Sequence, residues 1–281
     1  MHLVPGPASS TRWMRAALAA LGLLAGLAGC VSTGGPPQRP HRNNGDDDLT
    51  TASDQTNYDR LYNTRMELAQ AYFGRNQPTD ALDQVKQALQ AKPDMPAAYS
   101  LRGLIYASLG DTDKAEESFR RAMQLAPHDG DQIQNYGWYL CQQRRFADAD
   151  AQFQRAIAEP SYRSVARTML AEGVCQARAG KLADAEKTLS RAYELDPANP
   201  TTAFNLSEVL YRNGQYERAR FYIRRVNNRQ ELASAQSLWL AARIEHKLGQ
   251  EEQVRGMGAQ LRNSFPDAPE TALYEKGRFD E

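Results

Sequence analysis

The sequence predicts an all-α protein, a right-handed superhelix of six helix pairs behind a cleaved leader and a disordered tether. Small side chains recurring in a 34-residue frame, large apolar residues recurring between them, and a proline closing most frames carry that expectation. Residues 135–160 show the frame most plainly, with Gly130 as position one. Tyr136, Leu140 and Phe153 are large at positions seven, eleven and twenty-four, whereas Gly137, Ala149 and Ala156 are small at eight, twenty and twenty-seven. Two antiparallel helices close to about 8 Å only where the contact residues are small and larger neighbours fill the flanks.

The frame recurs with position one at Tyr62, Pro96, Ala166, Pro200 and Ala235, giving repeats near 62–95, 96–129, 130–163, 166–199, 200–233 and 235–268. Position eight is Ala69, Gly103, Gly137, Gly173, Ser207 and Ala242. Position twenty is Ala81, Ala115, Ala149, Ala185, Ala219 and Val254, and position twenty-seven is Ala88, Ala122, Ala156, Ala192, Val226 and Leu261. Pro93, Pro127, Pro197 and Pro266 fall at position thirty-two, where the residue before a proline resists helix and the chain turns into the next pair. The pattern resembles the tetratricopeptide repeat, in six copies, stacked into one continuous body.

Residues 1–29 carry Arg12 and Arg15, then an apolar run too short to span a bilayer, then Leu27-Ala28-Gly29-Cys30. That is the layout of a lipoprotein signal peptide, whether translation starts at Met1 or Met14, and it predicts a diacylglycerol on Cys30. Val31 follows rather than aspartate, which by resemblance to bacterial lipoproteins implies sorting to the periplasmic face of the outer membrane. Residues 30–57 are rich in Pro, Gly, Ser, Thr and Asn, carry the run Asp46-Asp47-Asp48, and read as a disordered tether. The repeat domain is expected over 58–281.

Within the array, Leu68, Tyr72 and Val85 are the expected core of repeat one, and Pro78 opens its second helix. Arg102 breaks the apolar rule at position seven of repeat two. In repeat six Glu245 and Gly258 replace large residues, as befits a weaker terminal unit, and residues 269–276 are expected to form a capping helix.

In such a stack, positions two, five, nine and twelve of each first helix line the concave face. They include Met66, Gln70 and Phe73 in repeat one, Leu104 in repeat two, Gln134 and Trp138 in repeat three, and Leu170 and Val174 in repeat four. Phe204, Glu208 and Tyr211 follow in repeat five, and Trp239, Arg243 and His246 in repeat six. Aromatic side chains among polar ones suit a groove for a peptide or partner helix, although Trp138 and Trp239 also fit packing between neighbouring helices.

Formal net charge is zero, and no basic surface points to nucleic acid. Catalytic readings fail individually. His128 and His246 have no ligand at metal-binding spacing, and His2 and His41 precede the repeats. The stretch 173–181 imitates a phosphate loop, but six residues separate its glycines from one another and Leu182 stands where Ser or Thr is required. No enzyme activity, small-molecule substrate, metal or cofactor beyond the lipid on Cys30 is expected, and neither a Cys141–His128 nucleophile pair nor a repeat-regulated hydrolase has positive support. Cys141 and Cys175 occupy positions twelve and ten of adjacent first helices. Either they bridge, as cysteines in an oxidising compartment usually do, or they remain two buried thiols.

The lipobox, the tether and the repeats, together with Asn135-Tyr136-Gly137-Trp138-Tyr139-Leu140-Cys141, Glu159-Pro160-Ser161-Tyr162, Gly173-Val174-Cys175 and Gly214-Gln215-Tyr216-Glu217-Arg218-Ala219-Arg220, resemble the family of type IV pilus biogenesis and stability lipoproteins, PilF and PilW. The resemblance covers most of the chain after Cys30. It implies a pilotin, an outer-membrane lipoprotein that helps the pilus secretin reach the membrane and multimerise, and it places the family's inter-repeat cysteine pair on Cys141 and Cys175; a monomer is the separate expectation for the body. Ser161 stands where leucine is commoner in the family, and Arg145 where glycine is. A periplasmic repeat adaptor for other envelope or cell-wall machinery is the alternative.

Overall fold

In the computed structural model, residues 52–280 are described, and every regular element among them is helical. Helices α1 (Ala52–Gly74) and α2 (Pro78–Ala91) form the first pair, α3 (Pro96–Ser108) and α4 (Thr112–Leu125) the second, and α5 (Gly130–Gln142) and α6 (Phe146–Ala158) the third. The remaining pairs are α7 (Val165–Arg178) with α8 (Leu182–Leu195), α9 (Pro200–Arg212) with α10 (Tyr216–Asn227), and α11 (Ala235–Lys247) with α12 (Glu251–Ser264). A closing helix, α13 (Pro269–Glu275), follows them. The predicted cap is therefore present, one residue shorter than expected. The repeats stack as one superhelical unit over Leu61–Glu281.

The small positions do what the spacing requires. Positions eight, twenty and twenty-seven are buried in all six repeats, and nearly all have no exposed surface. A Cβ on Gly103 would lie 2.8 Å from the Phe119 ring, one on Gly137 3.0 Å from Phe153, and one on Gly173 2.6 Å from Leu189. Position eight therefore receives the large residue at position twenty-four. In repeat five the Ser207 hydroxyl donates to the Ala219 carbonyl at 2.8 Å, spanning positions eight and twenty directly.

Helix starts follow local chemistry. Asp111, Asp129, Asn199 and Ser234 accept from backbone N–H groups of the first turn, and Pro78, Pro96, Pro200 and Pro269 occupy first helical positions, where no N–H is missed. Between the helices of each pair the chain turns through a left-handed residue at position fifteen. This is Gly110, Gly180, Gly214 and Gly249 in four repeats, and Asn76 and Arg144 in the other two. In repeat three the left-handed residue is Arg144 at φ 59°, and Arg145 after it precedes α6 at φ −82°.

Three further expectations change. The leader at 1–29, Cys30 and most of the tether lie outside the described residues, but 52–57, assigned to the tether, are helical in α1. No proline or glycine interrupts the chain from Ala52 to Phe73, so nothing ends the helix upstream of the first repeat. Leu68, assigned to the core, is 38% exposed because, among the described residues, no repeat packs on that face of α1. Repeat six is also not simply degenerate. Glu245 is buried and pairs with Arg224 at 2.9 Å and Arg220 at 3.6 Å, while the backbone at Gly258 admits the Tyr274 ring of α13, which would lie 1.9 Å from a Cβ there.

Candidate functional site: the inner face and its locks

The motifs singled out in the sequence prove to be locks between repeats. In α5, Asn135 donates to Ser100 Oγ at 3.2 Å, Tyr136 donates to Glu116 Oε1 at 2.6 Å, and Tyr139 donates to the Thr112 carbonyl at 3.2 Å. Burial, reinforced by the hydrogen bond to Glu116, pushes the Tyr136 phenol up to about 12, so it remains a donor. Phe119 sits between the two tyrosines, at 5.7 Å from the ring of Tyr136 and 4.9 Å from that of Tyr139. One residue beyond Leu140, a disulfide joins Cys141 to Cys175, with Cα atoms 5.8 Å apart, and ties α5 to α7. Cys141 is therefore no free nucleophile, and His128 instead faces Glu159 at 3.2 Å.

The stretch after Pro160 fills a gap. Tyr162 packs where a Cβ on Gly130 would stand and hydrogen-bonds Thr168 at 2.7 Å. From the repeat-five motif, Gln215 donates to Glu186 at 2.6 Å and Arg218 to the same carboxylate at 2.5 Å, joined by Asn213 at 3.0 Å. Burial opposes the charge on Glu186, but these donors hold its carboxyl below the usual range. Arg102, unexplained by the frame, donates to Ser118 Oγ at 2.9 Å and lies 4.8 Å from the Tyr99 ring centre.

Of the predicted inner-face residues, Leu104, Trp138, Leu170, Val174, Phe204, Glu208, Arg243 and His246 are partly exposed, as is Phe73, and Gln70 is exposed. Four are corrected from open lining to packing. Met66, Gln134, Tyr211 and Trp239 are 7%, 8%, 9% and 6% exposed. Met66 belongs to the core shared by the first two repeats, and Tyr211 is covered by the Arg243 guanidinium, 4.6 Å from its ring centre. Trp239 lies under Phe279, with ring centres 5.3 Å apart. Trp138 keeps an open edge but carries Arg178 at 5.1 Å. Burial raises the Glu208 carboxyl against the pull of Arg212 and Arg243. The face is thus aromatic and aliphatic with sparse charges, suited to holding a chain of complementary shape.

Phe279, Lys247 and Arg178 escaped the sequence reading. Phe279 belongs to a tail with no repeat period, and Arg178 and Lys247 both stand at position thirteen, one past the first-helix positions expected to line the groove. Among the described residues no group of three or more His, Cys, Asp or Glu side chains could hold a metal ion, and no helix is long and apolar enough to cross a membrane.

Comparison with known proteins places the array in a family. Tetratricopeptide-repeat family models match residues 66–130 and 137–200, and a second such model matches 176–244. The crystal structure of PilW, described as a widely conserved type IV pilus biogenesis factor, superposes with a TM-score of 0.68 at 31% identity, covering 76% of this chain and 98% of PilW. The chain belongs to the PilW/PilF family of tetratricopeptide-repeat proteins. The type IV pilus assembly protein PilF of Pseudomonas aeruginosa is 23% identical over 93% of this chain and 98% of its own length. A solved structure of Pseudomonas aeruginosa PilF shares the fold, with a TM-score of 0.63 at 20% identity, over 79% of this chain and 99% of that one. Membership of the PilW/PilF family makes a protein-interaction scaffold the plain reading of the repeat array.

Proposed function

We propose that this PilW/PilF-family chain is a pilotin, an outer-membrane lipoprotein that promotes membrane localisation and multimerisation of the type IV pilus secretin. The observation that carries the reading is the 31% identity to the pilus biogenesis factor PilW across nearly all of that protein, with the repeats in common. Lipid on Cys30 supplies the membrane address, because acyl chains contribute about 0.8 kcal/mol per buried methylene and several together hold durably. The inner face, from Leu104 through Trp138 and Leu170 to Phe204, holds a segment of a secretin subunit until neighbouring subunits replace it. The protein acts as a monomer at the periplasmic face, with no cofactor and no catalysis of its own.

A strain lacking the protein is expected to lose secretin multimers from its outer membrane and to stop twitching, and Cys30→Ser is expected to reproduce both defects with the protein still made. Normal multimers and normal twitching in the deletion strain overturn the assignment. Co-purification from detergent-extracted membranes that returns cell-wall enzymes and no secretin moves it to a general envelope adaptor.

A further inference from the structure

The chain past α13 turns back onto the groove side of repeat six. Gly277, at φ +65°, reverses the backbone, and the Arg278 N–H closes the turn on the Leu273 carbonyl at 3.1 Å. Phe279 then lies flat against His246, ring centres 4.3 Å apart at 21°, and against Trp239 at 5.3 Å and 29°. Tyr274 closes the third side edge-on at 6.0 Å. Arg243 Nε donates to the Phe279 carbonyl at 3.1 Å, and Lys247 Nζ pairs with Asp280 at 2.5 Å. Trp239, Arg243 and His246 are positions five, nine and twelve of α11, the side chains that a concave-face ligand meets.

One helix face therefore reads three features of a short extended segment, namely a ring, the carbonyl of the same residue and the carboxylate of the next. Stacked aromatic walls fix the ring, the guanidinium fixes the backbone, and the ammonium selects an acid at the following position. This is the division of labour by which grooves recognise peptides. Arg243 also lies over Tyr211, so the tail's site is continuous with the face of repeat five. Asp280 is held below the usual carboxylate range by Lys247, with His246 and Arg243 adding to it, so the acid stays ionised on its partner.

We propose that the repeat-six end of the groove is a binding site for an extended protein segment presenting an aromatic residue followed directly by an acidic one, and that residues 278–280 of this chain occupy it in cis. The tail is then a displaceable copy of the ligand. A tethered occupant acts at about millimolar effective concentration, so a partner segment must carry a better match or arrive multivalently to replace it. The inference rests on the inner face being a protein-binding surface and not on which protein it binds.

The test is fluorescence anisotropy with a labelled, end-capped peptide spanning 275–280, titrated against the full chain and against the full chain carrying Phe279→Ala. The cap survives that change because Tyr274, not Phe279, seats α13 on Gly258. Circular dichroism verifies the fold. The Phe279→Ala chain is expected to bind the peptide at least tenfold more tightly than wild type. Adding Arg243→Ala or Lys247→Glu to it, or replacing phenylalanine in the peptide by alanine, is expected to weaken binding about tenfold or more. A folded Phe279→Ala chain that ignores the peptide, equal binding to the wild-type chain, or indifference to Lys247→Glu and to the peptide's ring each overturns the proposal. The readout is independent of pilus assembly, so a failed titration leaves the pilotin assignment standing, and normal secretin multimers in a deletion strain leave the ligand motif standing.

Discussion

Arg144 adopts φ 59° at the turn position that four of the six repeats give to glycine. A side chain there costs roughly 1–2 kcal/mol, partly offset because glycine loses more freedom on folding. Arg144→Gly is therefore expected to stabilise by about 0.5–1 kcal/mol, seen as a higher urea midpoint; a lower midpoint contradicts the turn geometry. Glu172 is the other residue whose environment opposes its chemistry. It is buried on α7, and Gln154 and Gln176 donate to it at 2.5 and 3.3 Å while Asp150 lies beside it. Burial pushes its carboxyl up to about 7, the Gln154 hydrogen bond favours the charged form, and Asp150 raises it again. The folded chain then binds this proton more tightly than the unfolded chain, where a glutamate titrates near about 4.3. Stability from this group is complete below about pH 4.5, falls as pH rises to about 7, and is level above. Glu172→Gln is expected to flatten that part of the Tm-against-pH curve, and coincident curves for the two proteins rule the account out. Position seven was legible as a place in the frame but not as this environment, because Asp150 and Gln154 approach from a different helix.

At the scale of the element, the frame was readable because each small residue has a partner at a fixed offset. Gly103 with Phe119, Gly137 with Phe153 and Gly173 with Leu189 repeat one contact three times, so a single sequence contains its own replicates. Ala149→Leu is expected to overpack the α5–α6 crossing and cost about 1–3 kcal/mol by chemical denaturation. A neutral result would mean that these helices do not close as tightly as the buried alanine requires. Glu245 tests the opposite case. Glu245→Ala strips Arg224 and Arg220 of their shared carboxylate and is expected to destabilise repeats five and six, whereas Glu245→Leu, which restores the apolar rule at position eleven, is expected to cost less or to stabilise. Equal losses from the two changes would show that the carboxylate and its ion pairs, and not the space the side chain fills, carry the stability there. The elements that sequence reading misplaced are those outside the period. The upstream turns of α1 lack a stop signal and the tail after Gly277 lacks a repeat, so neither could be placed by frame.

For the whole molecule, the disulfide joins the third and fourth repeats at the middle of a stack held otherwise by nearest-neighbour contacts. Closing a 34-residue separation contributes about 3–4 kcal/mol in the chain-entropy treatment, so reduction is expected to lower Tm and broaden unfolding. An unchanged melting curve after verified reduction contradicts this. Superhelix, repeat count and family were visible in the sequence because they follow from periodicity and short motifs. Which inner-face residues stay open was not, since Met66, Gln134, Tyr211 and Trp239 are closed by neighbours that no single frame contains. The central claim is that the inner face of the array, and not its outer helices, holds the pilus secretin. Site-specific photocrosslinking in intact cells tests it most directly, with the probe placed singly at Leu170 or Phe204 on the inner face and at Lys187 or Glu194 on the exposed side of α8. Secretin adducts from the first two positions and none from the last two are the predicted result; adducts from α8 alone, or none from either inner position while the secretin still assembles, contradict it.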